Sequence, residues 1–165
     1  MSQYEFIDIH THILRPEVKD APPMTVEELL KRMDELGIDR AIVLPIVSPE
    51  CGFFYFTTEN VLQLYERSPN KLIPFCNIDP RCSNNSPKTD FRWVLSEYRD
   101  AGCKGLGEIT ANIYFDDARA LNLFRQCGEI GLPVLFHMAT QIGGVYGLAD
   151  DIGMPRLEKA LSSLP

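Results

Sequence analysis

Five short apolar runs begin near residues 4, 40, 72, 104 and 133, each followed by a helix-like segment, and predict an α/β protein built on parallel strands. The spacing of about 30 residues per unit is that of a repeating strand–helix module. One run, RAIVLPIV, is apolar on both faces, as a strand covered on both sides must be. A chain of 165 residues is long enough for a core of its own, so a single domain over residues 1–165 is expected.

The elements follow in order. Tyr4 to His10 reads as the first strand, with Ile7 and Ile9 on one face. A proline-containing loop leads to Thr25, which with Glu28 forms the T-x-x-E pattern of a helix start. Val26, Leu29, Leu30, Met33 and Leu36 recur at helical spacing, and Gly37 is a natural stop. Arg40 to Val47 is the second strand, Glu59 to Arg67 the second helix, and Leu72 to Asp79 the third strand. A helix over Asp90 to Ala101 ends at Gly102, and Lys104 to Ile109 is the fourth strand. The helix from Asp117 to Ile130 presents Leu121, Phe124 and Cys127 on one side and stops at Gly131. Pro133 to Met138 is the fifth strand, and Pro155 to Leu164 the last helix.

Two architectures accommodate this pattern. An open doubly wound sheet suits five strands in this length, whereas a (β/α)8 barrel needs about 250 residues. The chain stops at SSLP, where a sixth strand is due, and so reads as a truncated barrel.

Composition excludes several functions. A net charge of −7, with 16 basic against 23 acidic residues, offers no basic patch for nucleic acid or a membrane surface. No apolar run approaches the length of a membrane span, and MSQYEFIDIH has neither the charge nor the cleavage pattern of a secretory signal. Cys51, Cys76, Cys82, Cys103 and Cys127 are scattered, odd in number and without a CxxC pair, as expected of thiols in a reducing, cytoplasmic compartment.

The chemistry concentrates at strand ends. Asp8, His10 and His12 alternate along D-x-H-x-H at the end of the first strand and so share a face, a pattern suited to holding a divalent metal. His137 ends the fifth strand, which places every histidine of the chain at one end of the sheet, where parallel α/β folds bind ligands. By parity Glu108 faces the same way from the fourth strand together with Leu106, and a carboxylate there needs a cation or an ion pair. Asp8 is placed to fix an imidazole tautomer, or else to bind backbone amides. In the loops, Cys51 to Phe56 forms an aromatic run in which Phe54 and Tyr55 could wall a pocket, while Arg15 and Arg81 could receive a substrate carboxylate.

Taken together, D-x-H-x-H on the first strand, G-x-G-E on the fourth, a histidine closing the fifth and Asn77-Ile78-Asp79-Pro80-Arg81 after the third resemble the amidohydrolase superfamily. The nearest likeness is to its metal-dependent group that includes aminocarboxymuconate-semialdehyde decarboxylase-like enzymes. The resemblance runs from Tyr4 onward and implies a partial (β/α)8 TIM barrel of about five βα units. It also implies a divalent metal, zinc before manganese or iron, held by His10, His12, His137 and Glu108, the last also a candidate catalytic group beside Asp8. The implied activity is metal-dependent hydrolysis of a small molecule at a C–N, C–O or P–O bond, with non-oxidative decarboxylation and an inert metal-binding half-barrel as alternatives. The family takes a further histidine from strand six and a catalytic aspartate from strand eight, and this sequence ends before either. Open strand edges then predict self-association or a C-terminal half supplied from elsewhere.

Overall fold

The structure, a computed structural model, describes residues 4–14, 24–52 and 55–164. Its strands are β1 (Ile7–Thr11), β2 (Arg40–Val43), β3 (Leu72–Pro74), β4 (Leu106–Ile109), β5 (Val134–Phe136), β6 (Met138–Ala139) and β7 (Leu148–Ala149). Its helices are α1 (Val26–Leu36), α2 (Thr58–Arg67), α3 (Arg92–Asp100), α4 (Ala118–Ile130) and α5 (Pro155–Ser163). Thr25 caps α1 by accepting the Glu28 amide, and Asp117 caps α4 by accepting that of Arg119. α1 and α4 end at Gly37 and Gly131, as predicted.

The strands are shorter than their apolar runs because prolines interrupt the ladders. β2 ends before Pro45, which has no N–H to donate, although the Leu44 amide still reaches Thr11 O at 3.0 Å. β3 ends at Pro74, but pairing resumes at once: Cys76 N donates to Gly105 O at 2.9 Å, and Gly107 N to Cys76 O at 2.8 Å. The fifth predicted strand divides at His137, whose amide binds Ile109 O while its carbonyl accepts the Leu148 amide. β7, which has no counterpart in the sequence reading, pairs in parallel with β6.

Strand order decides between the two architectures. β1, β2 and β3 are parallel neighbours, the backbone bonds at Cys76 join β3 to β4, and β4 pairs in parallel with β5. Among the described residues neighbours therefore follow chain order, with no reversal. A doubly wound sheet requires a point where the order switches, so that alternative is corrected here to a partial α/β barrel.

Apolar side chains lie on both sides of this curved sheet. Towards the helices, Val43 and Leu72 pack with Met33 of α1 and Val61 of α2, while Cys76, Leu106 and Ile109 pack with Leu95, Leu123 and Phe124. Leu44, Ile73 and Phe75 form a smaller cluster on the inner face, joined by Leu135. Among the described residues no helix is long and apolar enough to cross a membrane.

Candidate metal centre

His10 and His12 reach the inner face because the end of β1 is pinned to β2. Thr11 Oγ1 donates to Ile42 O at 2.6 Å, and the ladder slips between Asp8 and Thr11. His12 then continues the path of the strand with its Nδ1 3.1 Å from Leu44 O. A carbonyl only accepts, so Nδ1 carries the proton and Nε2 of a neutral ring presents a lone pair.

Glu108 arrives from β4 by a route that simple alternation misses. Parity puts Leu106 and Glu108 on one face, yet Leu106 and Ile109 both pack towards the helices and the β4–β5 register shifts between them. Gly107, at φ +139, makes that shift possible: its Cα lies against the Leu135 carbonyl, where a side chain would overlap it. The turn sends Glu108 inward, and Asn77 Nδ2 braces its carbonyl at 2.6 Å while also reaching Pro45 O at 3.1 Å.

The three donor groups converge closely. His10 Nε2 and His12 Nε2 are 3.2 Å apart, His12 Nε2 is 3.1 Å from Glu108 Oε2, and His10 Nε2 is 3.3 Å from the same oxygen. Ligand atoms about 2.0–2.1 Å from a tetrahedral ion are roughly 3.3 Å from one another, so this near-equilateral triangle matches the edge of a coordination shell. His12 Nε2 and the carboxylate oxygen that it faces need a positive charge between them, a proton on the ring in the metal-free chain or a metal ion in its place. Two imidazoles and one carboxylate therefore fit a divalent metal chemically as well as in spacing.

Glu108 is 4 % exposed. Burial pushes its carboxyl upward, but hydrogen bonds from His12 and His137 and the nearby imidazole charges outweigh burial and hold it below the usual range. His137 Nδ1 lies 2.8 Å from Oε1, the oxygen facing away from the triangle. The structure thus sets His137 beside the carboxylate, with Glu108 between it and the other two histidines.

The remaining predicted residues are placed differently. Asp8 Oδ1 accepts the His10 backbone amide at 3.0 Å, the second of the two roles open to it, and the tautomer-fixing partner of His12 is the Leu44 carbonyl. Arg81 is engaged within the chain: Nε and Nη2 bind Asp79 at 2.8 and 2.6 Å, and Nη1 and Nη2 bind Glu50 at 2.6 and 2.8 Å. Tyr55 is exposed, and Phe54 and Arg15 lie outside the described residues. Sequence reasoning missed the contributions of Asn77, Glu50 and Asn112. Asn77 carries the one available signal, an amide side chain closing an apolar strand.

No protein-family model matches the sequence, and no curated protein matches it. Solved structures do match its fold. An uncharacterised barrel protein from Bordetella bronchiseptica superposes with a TM-score of 0.64 at 15% identity, over 98% of this chain and 64% of that one. The 5-carboxyvanillate decarboxylase of Novosphingobium aromaticivorans, in complex with manganese and 4-hydroxy-3-methoxy-5-nitrobenzoic acid, gives 0.61 at 18% identity over 96% and 55%. A probable 2-pyrone-4,6-dicarboxylic acid hydrolase from Acinetobacter baumannii, with citric acid bound, gives 0.53 at 14% identity over 82% and 50%. The chain thus spans between half and two thirds of the length of these proteins. In fold it is a partial (β/α) barrel.

Proposed function

We propose that this chain carries the metal site of a metal-dependent hydrolase of the amidohydrolase type. The observation that supports this reading is the triangle of His10 Nε2, His12 Nε2 and Glu108 Oε2, with edges of 3.1–3.3 Å. Zinc, manganese and iron all suit such donors. A divalent ion at this position supplies Lewis-acid polarisation of the scissile group and acidifies a water towards neutral pH.

The chain's own residues do the rest. The Leu44 carbonyl keeps the His12 proton on Nδ1, so that Nε2 stays free to ligate. Glu108, ionised at neutral pH, turns Oε2 to the imidazoles and keeps Oε1 on His137 Nδ1. A carboxylate so placed can accept a proton from the reacting water, and His137 steadies the charge while it is present. The substrate is a small molecule bound where the strand ends open. A second reading, non-oxidative decarboxylation at the same site, is favoured by likeness in fold to the manganese-bound decarboxylase. A cytoplasmic location accords with five cysteines that are all free.

Elemental analysis of the purified chain, loaded with zinc or manganese and then desalted, tests the site beside His10→Ala and Glu108→Gln variants. About one ion per chain, lost in both variants, is the expected outcome. Wild-type protein that retains no ion, or variants that retain it fully, would overturn the reading. With loaded protein, carbon dioxide release from aromatic carboxylates identifies the decarboxylase, and cleavage of lactones or amides identifies the hydrolase.

A further inference from the structure

The loop between β6 and β7 is rich in glycine yet tethered. Asn112, 8 % exposed and just beyond β4, donates through Nδ2 to Gln141 O and Gly147 O, both at 3.1 Å, and accepts the Gly143 amide at Oδ1. Gly147 N reaches Thr110 O at 2.7 Å. Gly147 has φ +104, and a side chain there would run into the ring and backbone of His137, so the loop closes directly onto that histidine. Between the tethers stand Gly144, Val145 and Tyr146, and the Tyr146 ring packs on His137 with centroids 4.4 Å apart at 49°.

Beside these two rings is an open pocket of about 420 Å3, within the range of small-molecule sites. Met138, Ala139, Thr140 and Val145 complete its lining with Gly144, and among the described residues it contains no carboxylate, lysine or arginine. Apart from His137, whose Nδ1 is already taken by Glu108, the pocket has no ionic partner for a charged group, and it offers the edges and faces of two aromatic rings to a flat one.

We infer that Tyr146 is the specificity-determining residue of the site: with His137 it forms a two-ring wall that seats an uncharged, planar, unsaturated ring of the substrate. The inference deepens the proposed function and rests on it for the reaction, and the link between the two is His137, which lines the pocket and binds Glu108 Oε1 through Nδ1. Asn112 is the positioning residue, fixing the two ends of the loop that carries Tyr146.

The test uses two neutral probes that differ mainly in flatness, benzamide and cyclohexanecarboxamide. Each is titrated into the metal-free chain while the ring signals of its three histidines are followed by NMR, the His137 signal being assigned from its loss in His137→Gln. Benzamide is expected to displace the His137 signal and to bind about five-fold more tightly than the saturated probe. Tyr146→Phe should keep that preference and Tyr146→Ala remove it, with His10 and His12 signals unmoved as evidence of an intact fold. Equal affinity of the wild type for both probes, no displacement of His137 by either, or a preference that survives Tyr146→Ala would each overturn the inference. Metal uptake by the same samples is read separately: its failure sinks the metal-enzyme reading, whereas the probe ratio reports on the Tyr146 wall alone.

Discussion

At Glu108 two effects pull in opposite directions. Burial disfavours the charge, while His12, His137 and the imidazole charges favour it and win, so the carboxylate is stable only in the company of those rings. Its position depends in turn on Gly107, whose backbone turn and contact with the Leu135 carbonyl leave no room for a side chain. Gly107→Ala is expected to destabilise the chain by about 1–3 kcal/mol, through a strained φ and a forced backbone shift. It should also release any bound metal, because Oε2 moves with the backbone. Urea denaturation beside elemental analysis checks both effects, and an unchanged midpoint would contradict the close approach. The G-x-G-E pattern is visible in the sequence, but the need for glycine at 107 is not, since the neighbouring carbonyl lies 28 positions along the chain on another strand.

Among the elements, one polar network links loops that follow four different strands. Arg81 holds Asp79 and Glu50, Glu50 accepts the Asn112 amide at 3.2 Å, and Asn112 holds the β6–β7 loop. Sequence reading assigned Arg81 a carboxylate to receive; it receives two, both from its own chain. Burial pushes Asp79 upward, but the bonds from Arg81 overcome it, and Glu50 is drawn down first by Arg81; both carboxyls lie below their ordinary values. A carboxyl whose folded pKa is depressed adds stability that is present above the unfolded value, about 4, and is lost as pH falls through the folded value. Arg81→Gln is accordingly expected to cost about 1.5–3 kcal/mol at pH 7, and the deficit should shrink as pH drops towards 3 because the wild type loses the same interactions. Denaturation curves at both pH values measure this, and a deficit that does not change with pH would remove the network's role.

For the molecule as a whole, the consequence of sequential strand order is an edge. Among the described residues β1 pairs only with β2, leaving its other side unpaired, and Phe6, Ile7 and Ile9 stand exposed, Ile9 at 63 %. Unpaired backbone beside apolar side chains is a template for another strand. We expect this edge to associate with a second copy, or with further strand–helix units where a longer chain provides them. Ile9→Lys should shift sedimentation profiles of the chain towards monomer with little loss of thermal stability, since Ile9 lies outside the buried clusters. A wild-type chain that is monomeric across the concentration range would dismiss the idea.

Local pattern alone determined the alternation of strands and helices, the cap at Thr25, the stops at Gly37 and Gly131, and the grouping of all three histidines at strand ends. Those features depend on neighbours within one or two turns, where side-chain periodicity and backbone preference act directly. The tertiary structure decided the rest. Chain-order pairing of the strands excluded the doubly wound sheet, and a register slip at Gly107 left Leu106 on the helix side while Glu108 faces inward with the histidines, as alternation had led one to expect of Glu108 but not of Leu106. Contacts across 96 positions from His12 to Glu108, and across 62 from Glu50 to Asn112, then assembled the centre and its surrounding loops. Such contacts follow from how the sheet curves and where its ladders slip, which are properties of strands packed together and not of any one run of residues.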